Sequence, residues 1–124
     1  MALDYGSART GVAVSDPTGT LARPVGVVRR VGTPAGLDEL ASIVRRETPE
    51  RIVVGLPLTL RGDRGTQAKE TEGFVRALRE AIDVPVETFD ERFTTVLAGG
   101  AAGDDARAAA HLLSTYLEWA ARSA

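Results

Sequence analysis

The order of the apolar segments constrains this chain most. Three short apolar runs come first, separated by turns: Ala2-Leu3-Asp4-Tyr5, Gly11 to Ser15, and Pro24 to Val28. Connections that short suit antiparallel neighbours, because a parallel pair needs a crossover of a dozen or more residues. The spacing therefore predicts a three-stranded meander, with Asp16-Pro17-Thr18-Gly19 as one of its turns. Beyond it, helix and strand patterns alternate. Pro34 opens a helix in which Leu37, Leu40, Ala41 and Val44 recur at helical spacing. Arg51-Ile52-Val53-Val54-Gly55 reads as a buried, parallel strand. Leu56 to Gly65 is a loop, followed by a helix with Thr71, Phe74, Val75, Leu78 and Ile82 on one stripe. Val84 to Phe89 is a further strand, Thr94-Thr95 suits a helix start, and Asp104 to Ala121 is a final Ala-rich helix. The expected class is α/β, a mixed central sheet of about five strands with helices on both faces.

Composition narrows the chemistry. At 124 residues the chain is expected to be a single domain, residues 1–124. It has no cysteine, which removes thiolate metal sites, disulfides and cysteine nucleophiles. A lone histidine, His111, makes a His-rich zinc site or a His-based triad improbable. No apolar run is long enough to span a bilayer, and the first ten residues lack a signal-peptide layout, so no membrane partner and a cytoplasmic location are expected. The net charge of −2 argues against non-specific coating of nucleic acid but not against a local grip on its backbone. Lys69 is the one lysine among fifteen basic residues. Arginine suits bidentate phosphate contacts, although G+C-rich coding would also enrich Arg, Ala and Gly.

Three carboxylates stand out, each with an ordinary reading beside a functional one. Asp4 interrupts an apolar strand; it is either a strand-end carboxylate bonded to nearby amides or one that binds a partner or a metal. Glu91 follows the strand ending at Phe89-Asp90, where ligands collect in α/β sheets, or it is a surface Glu paired with Arg92. Asp104 and Asp105 open the last helix, where Asp is a preferred cap. Carboxylates from separate elements can converge at a sheet edge around a hard divalent cation, and such metals support phosphodiester cleavage.

These residues fall within four longer runs. Leu3 to Asp16 (LDYGSARTGVAVSD), Ile52 to Leu58 (IVVGLPL), Asp90 to Thr95 (DERFTT), and Asp105-Ala106-Arg107 leading to Tyr116-Leu117 occur in this order over nearly the whole chain. Together they resemble the YqgF/RuvX family, the group of Holliday junction resolvases and pre-16S rRNA nucleases. The resemblance implies an RNase H-like fold, and it carries the family's metal-binding and catalytic carboxylates onto Asp4, Glu91 and Asp105. It implies Mg²⁺ or Mn²⁺, as a pair of ions, with Asp4 bridging them. Arg9, Arg92, Arg64 and Lys69 are then candidate nucleic-acid contacts, each equally able to be a solvated surface charge. One departure stands out. The family has a longer, often basic stretch between Thr95 and Asp105, where this chain has nine residues, mostly Ala and Gly. Either the substrate lip is shortened or a loop is missing from it.

The family's names offer two partners, structured RNA (the 5′ end of precursor 16S rRNA) or branched DNA (a four-way junction). Symmetric junction cutting requires a two-fold dimer, whereas RNA trimming can be done by a monomer. The sequence shows no heptad stripe, which tilts the expectation towards RNA processing, with monomer or homodimer left open. Two other classes compete. Asp-x-Gly also opens actin-like ATPase domains, but those close two domains around ATP. A non-catalytic nucleic-acid-binding module would keep the fold without the chemistry.

Overall fold

The computed structural model describes residues 1–58, 65–93 and 104–123. The chain runs β1 (Ala2–Asp4), β2 (Arg9–Ser15), β3 (Ala22–Arg29), α1 (Pro34–Glu47), β4 (Ile52–Leu56), α2 (Thr66–Ala81), β5 (Val86–Asp90), a 3-10 turn at Glu91–Phe93, and α3 (Asp104–Ser123). The strands form one sheet in the order β3-β2-β1-β4-β5. β1, β2 and β3 pair antiparallel, as short turns require, while β4 joins β1 and β5 joins β4 in parallel.

Alternation along the strands divides the core into two layers. Leu3, Val12, Val14, Ile52, Val54 and Val86 face the layer holding Leu40 and Val44 of α1 with Phe74, Val75 and Leu78 of α2. Ala2, Ala13, Val53 and Phe89 face the opposite layer, where α3 lays down Ala109, Leu112, Leu113 and Tyr116. Small residues on that face let α3 sit close against β1, β2 and β3. On its outer side Trp119, 46% exposed, leans on Phe89 with ring centroids 5.6 Å apart.

Local chemistry sets most element ends. Thr33 caps α1, its hydroxyl accepting from the Gly36 amide at 3.2 Å, and Pro34 occupies the first turn where a missing N–H is harmless. Three strand starts differ by two residues from expectation, β2 opening at Arg9 rather than Gly11. β3 begins at Ala22 rather than Pro24, because it is an edge strand with a register shift opposite Val12 and Ala13, where proline is tolerated. β5 begins at Val86 rather than Val84; Pro85 contributes only its carbonyl, which accepts from the Ile52 amide at 2.9 Å. Thr94-Thr95 and the Ala/Gly join lie outside the described residues.

Candidate active site

β1, β4 and β5 are parallel, so their carboxyl ends, at Asp4, Leu56 and Asp90, share one edge of the sheet. By alternation, Asp4, Gly11 and Gly55 lie on the α3 face, two residues beyond Ala2, Ala13 (in the reverse sense) and Val53. Two glycines make room there. A Cβ on Gly11 would stand 1.8 Å from the Asp105 carbonyl oxygen, so the first turn of α3 rests directly on β2. A Cβ on Gly55 would stand 2.6 Å from Oε1 of Glu91 and 2.9 Å from its Cγ, so the Glu91 side chain lies over β4. An interior strand glycine often marks such a close approach.

The expected carboxylates are brought to one place. The carboxyl groups of Asp4 and Glu91 share a hydrogen bond, which requires a proton on one of them. Burial, then the charge of Asp4 and the hydrogen bond with it, push Glu91 up to about 7. Burial and then the charge of Asp105 raise Asp4, with the bond to Glu91 opposing them. Below about pH 7 the pair therefore shares a proton, in a site where three negative charges would otherwise repel. Asp105 sits 3.2 Å, through Oδ2, from Nε of Arg9. The contact is an ion pair without hydrogen-bond alignment, and this buried Oδ2 has no hydrogen-bond partner.

Such a donor set fits a hard divalent cation: carboxylate oxygens only, two with raised proton affinity and one with unused acceptor capacity. Among the described residues no three acidic or histidine side chains stand close enough to hold one ion together. The carboxylates are arranged as two and one, Asp4 with Glu91 and Asp105 on Arg9. A cleft of about 260 Å³ opens beside them, walled by the Tyr5–Ser7 turn, Pro57, and Gln67, Glu70 and Thr71 of α2. A larger groove of about 850 Å³ lies at the other end of the sheet, far from this chemistry.

The cationic candidates are placed differently from one another. Arg9 is engaged by Asp105. Arg92 engages Asp90, the residue before Glu91. Its guanidinium grips Asp90, Nε at 2.9 and 3.1 Å from the two oxygens and Nη2 at 2.6 Å, and holds that carboxyl below the usual range. Lys69 is exposed on α2 and does not itself line the cleft. Arg64 lies outside the described residues. His111 is half-buried on α3, its Nε2 buried without a hydrogen-bond partner, which agrees with a structural place. Sequence reasoning passed over Gly11 and Gly55 as ordinary strand residues and overlooked Glu70 and Gln67 in the cleft wall; the interior glycines were the available signal.

Residues 1–119 match the RuvX family, described as a Holliday junction resolvase. The chain belongs to the RuvX family. Among RuvX relatives, one from Roseiflexus sp. (strain RS-1) is 47% identical over 98 residues, covering 79% of this chain and 70% of the relative. Another, from Syntrophomonas wolfei, is 36% identical over 130 residues, covering 95% and 92%. Both are named "Putative pre-16S rRNA nuclease". The second alignment is longer than this chain's 124 residues, so that relative carries interior residues that this chain lacks. Among solved structures, T. thermophilus RuvC in complex with a Holliday junction substrate superposes with a TM-score of 0.55 and 17% identity, over 95% of this chain and 93% of that one. At that identity the likeness speaks for the fold, which is RNase H-like. Among the described residues no helix is long and apolar enough to cross a membrane.

Proposed function

We propose that this chain is a single-domain, divalent-metal-dependent endonuclease that processes the 5′ end of precursor 16S rRNA in the cytoplasm. Asp4, Glu91 and Asp105 are its metal-binding and catalytic residues. The observation that carries the reading is the crowding of three carboxylates, from β1, the turn after β5, and α3, at the carboxyl ends of three parallel strands. Membership in a nuclease family and relatives named for precursor 16S rRNA support the substrate.

Mg²⁺ or Mn²⁺, bound as a pair, would supply an activated water and neutralise charge on the leaving oxygen. The chain's own residues do the rest. Asp4, fixed at the end of a central strand, orients the site and shares a proton with Glu91. Glu91, held near neutrality, can release or accept that proton at its carboxylate as ligands arrive. Arg9, drawn to Asp105 here, can meet a phosphate once that carboxylate is engaged elsewhere. Gly55 leaves the room that Glu91 occupies.

A second reading, resolution of four-way DNA junctions, is favoured by the family's description. It requires a homodimer that presents two sites. A cleavage assay separates the readings: a labelled precursor-rRNA 5′ segment and a four-way DNA junction, side by side, with Mg²⁺ or Mn²⁺ and with Asp4→Asn as control. Metal-dependent cutting of the RNA, absent in Asp4→Asn, is expected. Cutting of the junction alone would favour resolution, and binding of either substrate without cutting would favour a non-catalytic module.

A further inference from the structure

Charge is divided along the carboxyl edge of the sheet. β1 and β5 end in carboxylates, while β2 begins and β3 ends in arginine. Arg9 and Arg29 are register partners in the antiparallel β2–β3 ladder. Side chains of such partners leave the same face with Cβ atoms about 4.5–5.5 Å apart. The Arg30 amide donates to the Ala8 carbonyl at 3.0 Å, which makes Arg9 and Arg29 a non-hydrogen-bonded pair, the kind whose side chains stand closer.

Like charges directly opposite one another destabilise a ladder. Arg9 is compensated by Asp105. Arg29 is exposed and makes no ion pair among the described residues. Its backbone is nevertheless anchored on both sides. β2 holds it through the ladder, and the following residue, Arg30, adopts a left-handed conformation with φ 49°. The Arg30 carbonyl accepts from the Thr33 amide at 2.9 Å and the Thr33 hydroxyl at 2.7 Å. A Cβ on Gly36 would lie 2.1 Å from that carbonyl, so the first turn of α1 is packed upon it. The fold thus fixes an uncompensated cation opposite another cation, beside the carboxylate cluster. An anion offering paired oxygens relieves that repulsion, and the planar guanidinium fork can meet two oxygens of one phosphate.

We propose that Arg29, across the ladder from Arg9, is a phosphate-binding residue for the nucleic-acid backbone. It rests on the nuclease reading and extends its substrate track. Asp4 pairs with Gly11 and Gly11 with Val27, so Arg29 stands two strands over and two residues along from Asp4, roughly 12 Å at the usual spacings. The phosphate it meets is therefore a neighbour of the one facing the carboxylates, and the substrate runs across β1, β2 and β3 rather than along them.

The test is fluorescence anisotropy with the intact chain in EDTA, using the labelled RNA segment and the labelled four-way junction at several salt concentrations. Arg29→Gln is expected to weaken binding about fivefold to tenfold and to lower the slope of log affinity against log salt by about one. Arg29→Lys keeps the slope, and Arg45→Gln, on the exposed far end of α1, changes neither quantity. Loss on the RNA or on the junction names which backbone is tracked. If the parent binds and Arg29→Gln retains its affinity and slope, or if Arg45→Gln loses as much, the proposal is wrong while the nuclease reading stands. A parent that neither binds nor cleaves removes both.

Discussion

The two ends of the sheet treat charge in opposite ways. At the amino ends of β1 and β4 the groove is large, and several charges there are answered. Asp16 accepts from the Thr18 hydroxyl and from the Thr20 and Leu21 amides, Arg23 meets Glu47, and the N-terminal ammonium donates to the Arg51 carbonyl. Tyr116 donates to Glu87 and accepts from Arg51 at 3.0 Å, tying α3 to two strands. At the carboxyl ends the cleft is about a third as large, and its charges conflict: Asp4 and Glu91 share a hydrogen bond with Asp105 close enough to raise Asp4, and two arginines face each other across a ladder. Volume alone points to the other end. Unresolved electrostatic conflict, held in place by glycines that let elements touch, marks the site we propose.

Substitutions can break that contrast in graded steps. The largest effect is expected for Gly11→Ala, whose methyl meets the backbone of Asp105 and must push α3 off the sheet. A loss of about 3 kcal/mol in urea unfolding is predicted, together with loss of cleavage. Gly55→Ala should separate stability from function. Its Cβ meets the Glu91 side chain from Cγ outwards rather than backbone, and that side chain can swing away. Stability should fall by about 1 kcal/mol or less while the cleavage rate falls about a hundredfold, because Glu91 is displaced. Equal losses in both quantities would show that Glu91 has no special place.

A third prediction concerns pH. Glu91 is raised in the folded chain to about 7 from an ordinary value of 4.5. A raised acid binds its proton more tightly when folded, so its stabilising contribution is full below about 4.5 and is lost as pH rises towards 7. Metal-free Glu91→Gln should therefore gain about 1–2 kcal/mol over the parent at pH 8, after allowing for solvent screening, and almost nothing at pH 4. A variant no more stable than the parent at pH 8 would deny the conflict. The smallest effect belongs to the quiet end. Tyr116→Phe should lower stability by about 0.5–1.5 kcal/mol and leave cleavage at saturating Mn²⁺ unchanged.

Much of this was legible in the sequence, for identifiable reasons. The turns between Tyr5 and Gly11 and between Ser15 and Pro24 are too short for a crossover, so the meander follows from length alone. Ile52-Val53-Val54 lacks alternation because β4 is covered on both faces. Asp4 was conspicuous as a charge inside an apolar strand. Glu91 and Asp105 were not, since a Glu beside an Arg and an Asp at a helix start have ordinary explanations; only the four motifs taken together singled them out. The Arg92–Asp90 contact was not anticipated, because it depends on the 3-10 turn that follows β5 rather than on sequence adjacency to Glu91. The pairing of Arg9 with Arg29 depends on ladder register, which the sequence does not state.

On the proposed reading, the carboxylates conflict until a divalent cation joins them. Thermal unfolding of the parent and Asp4→Asn at pH 8, with and without Mn²⁺, tests it directly. Metal-free Asp4→Asn is expected to melt above the parent, and Mn²⁺ to raise the parent's midpoint while leaving Asp4→Asn unmoved. A parent that is indifferent to Mn²⁺, or a variant that responds as strongly, would contradict it.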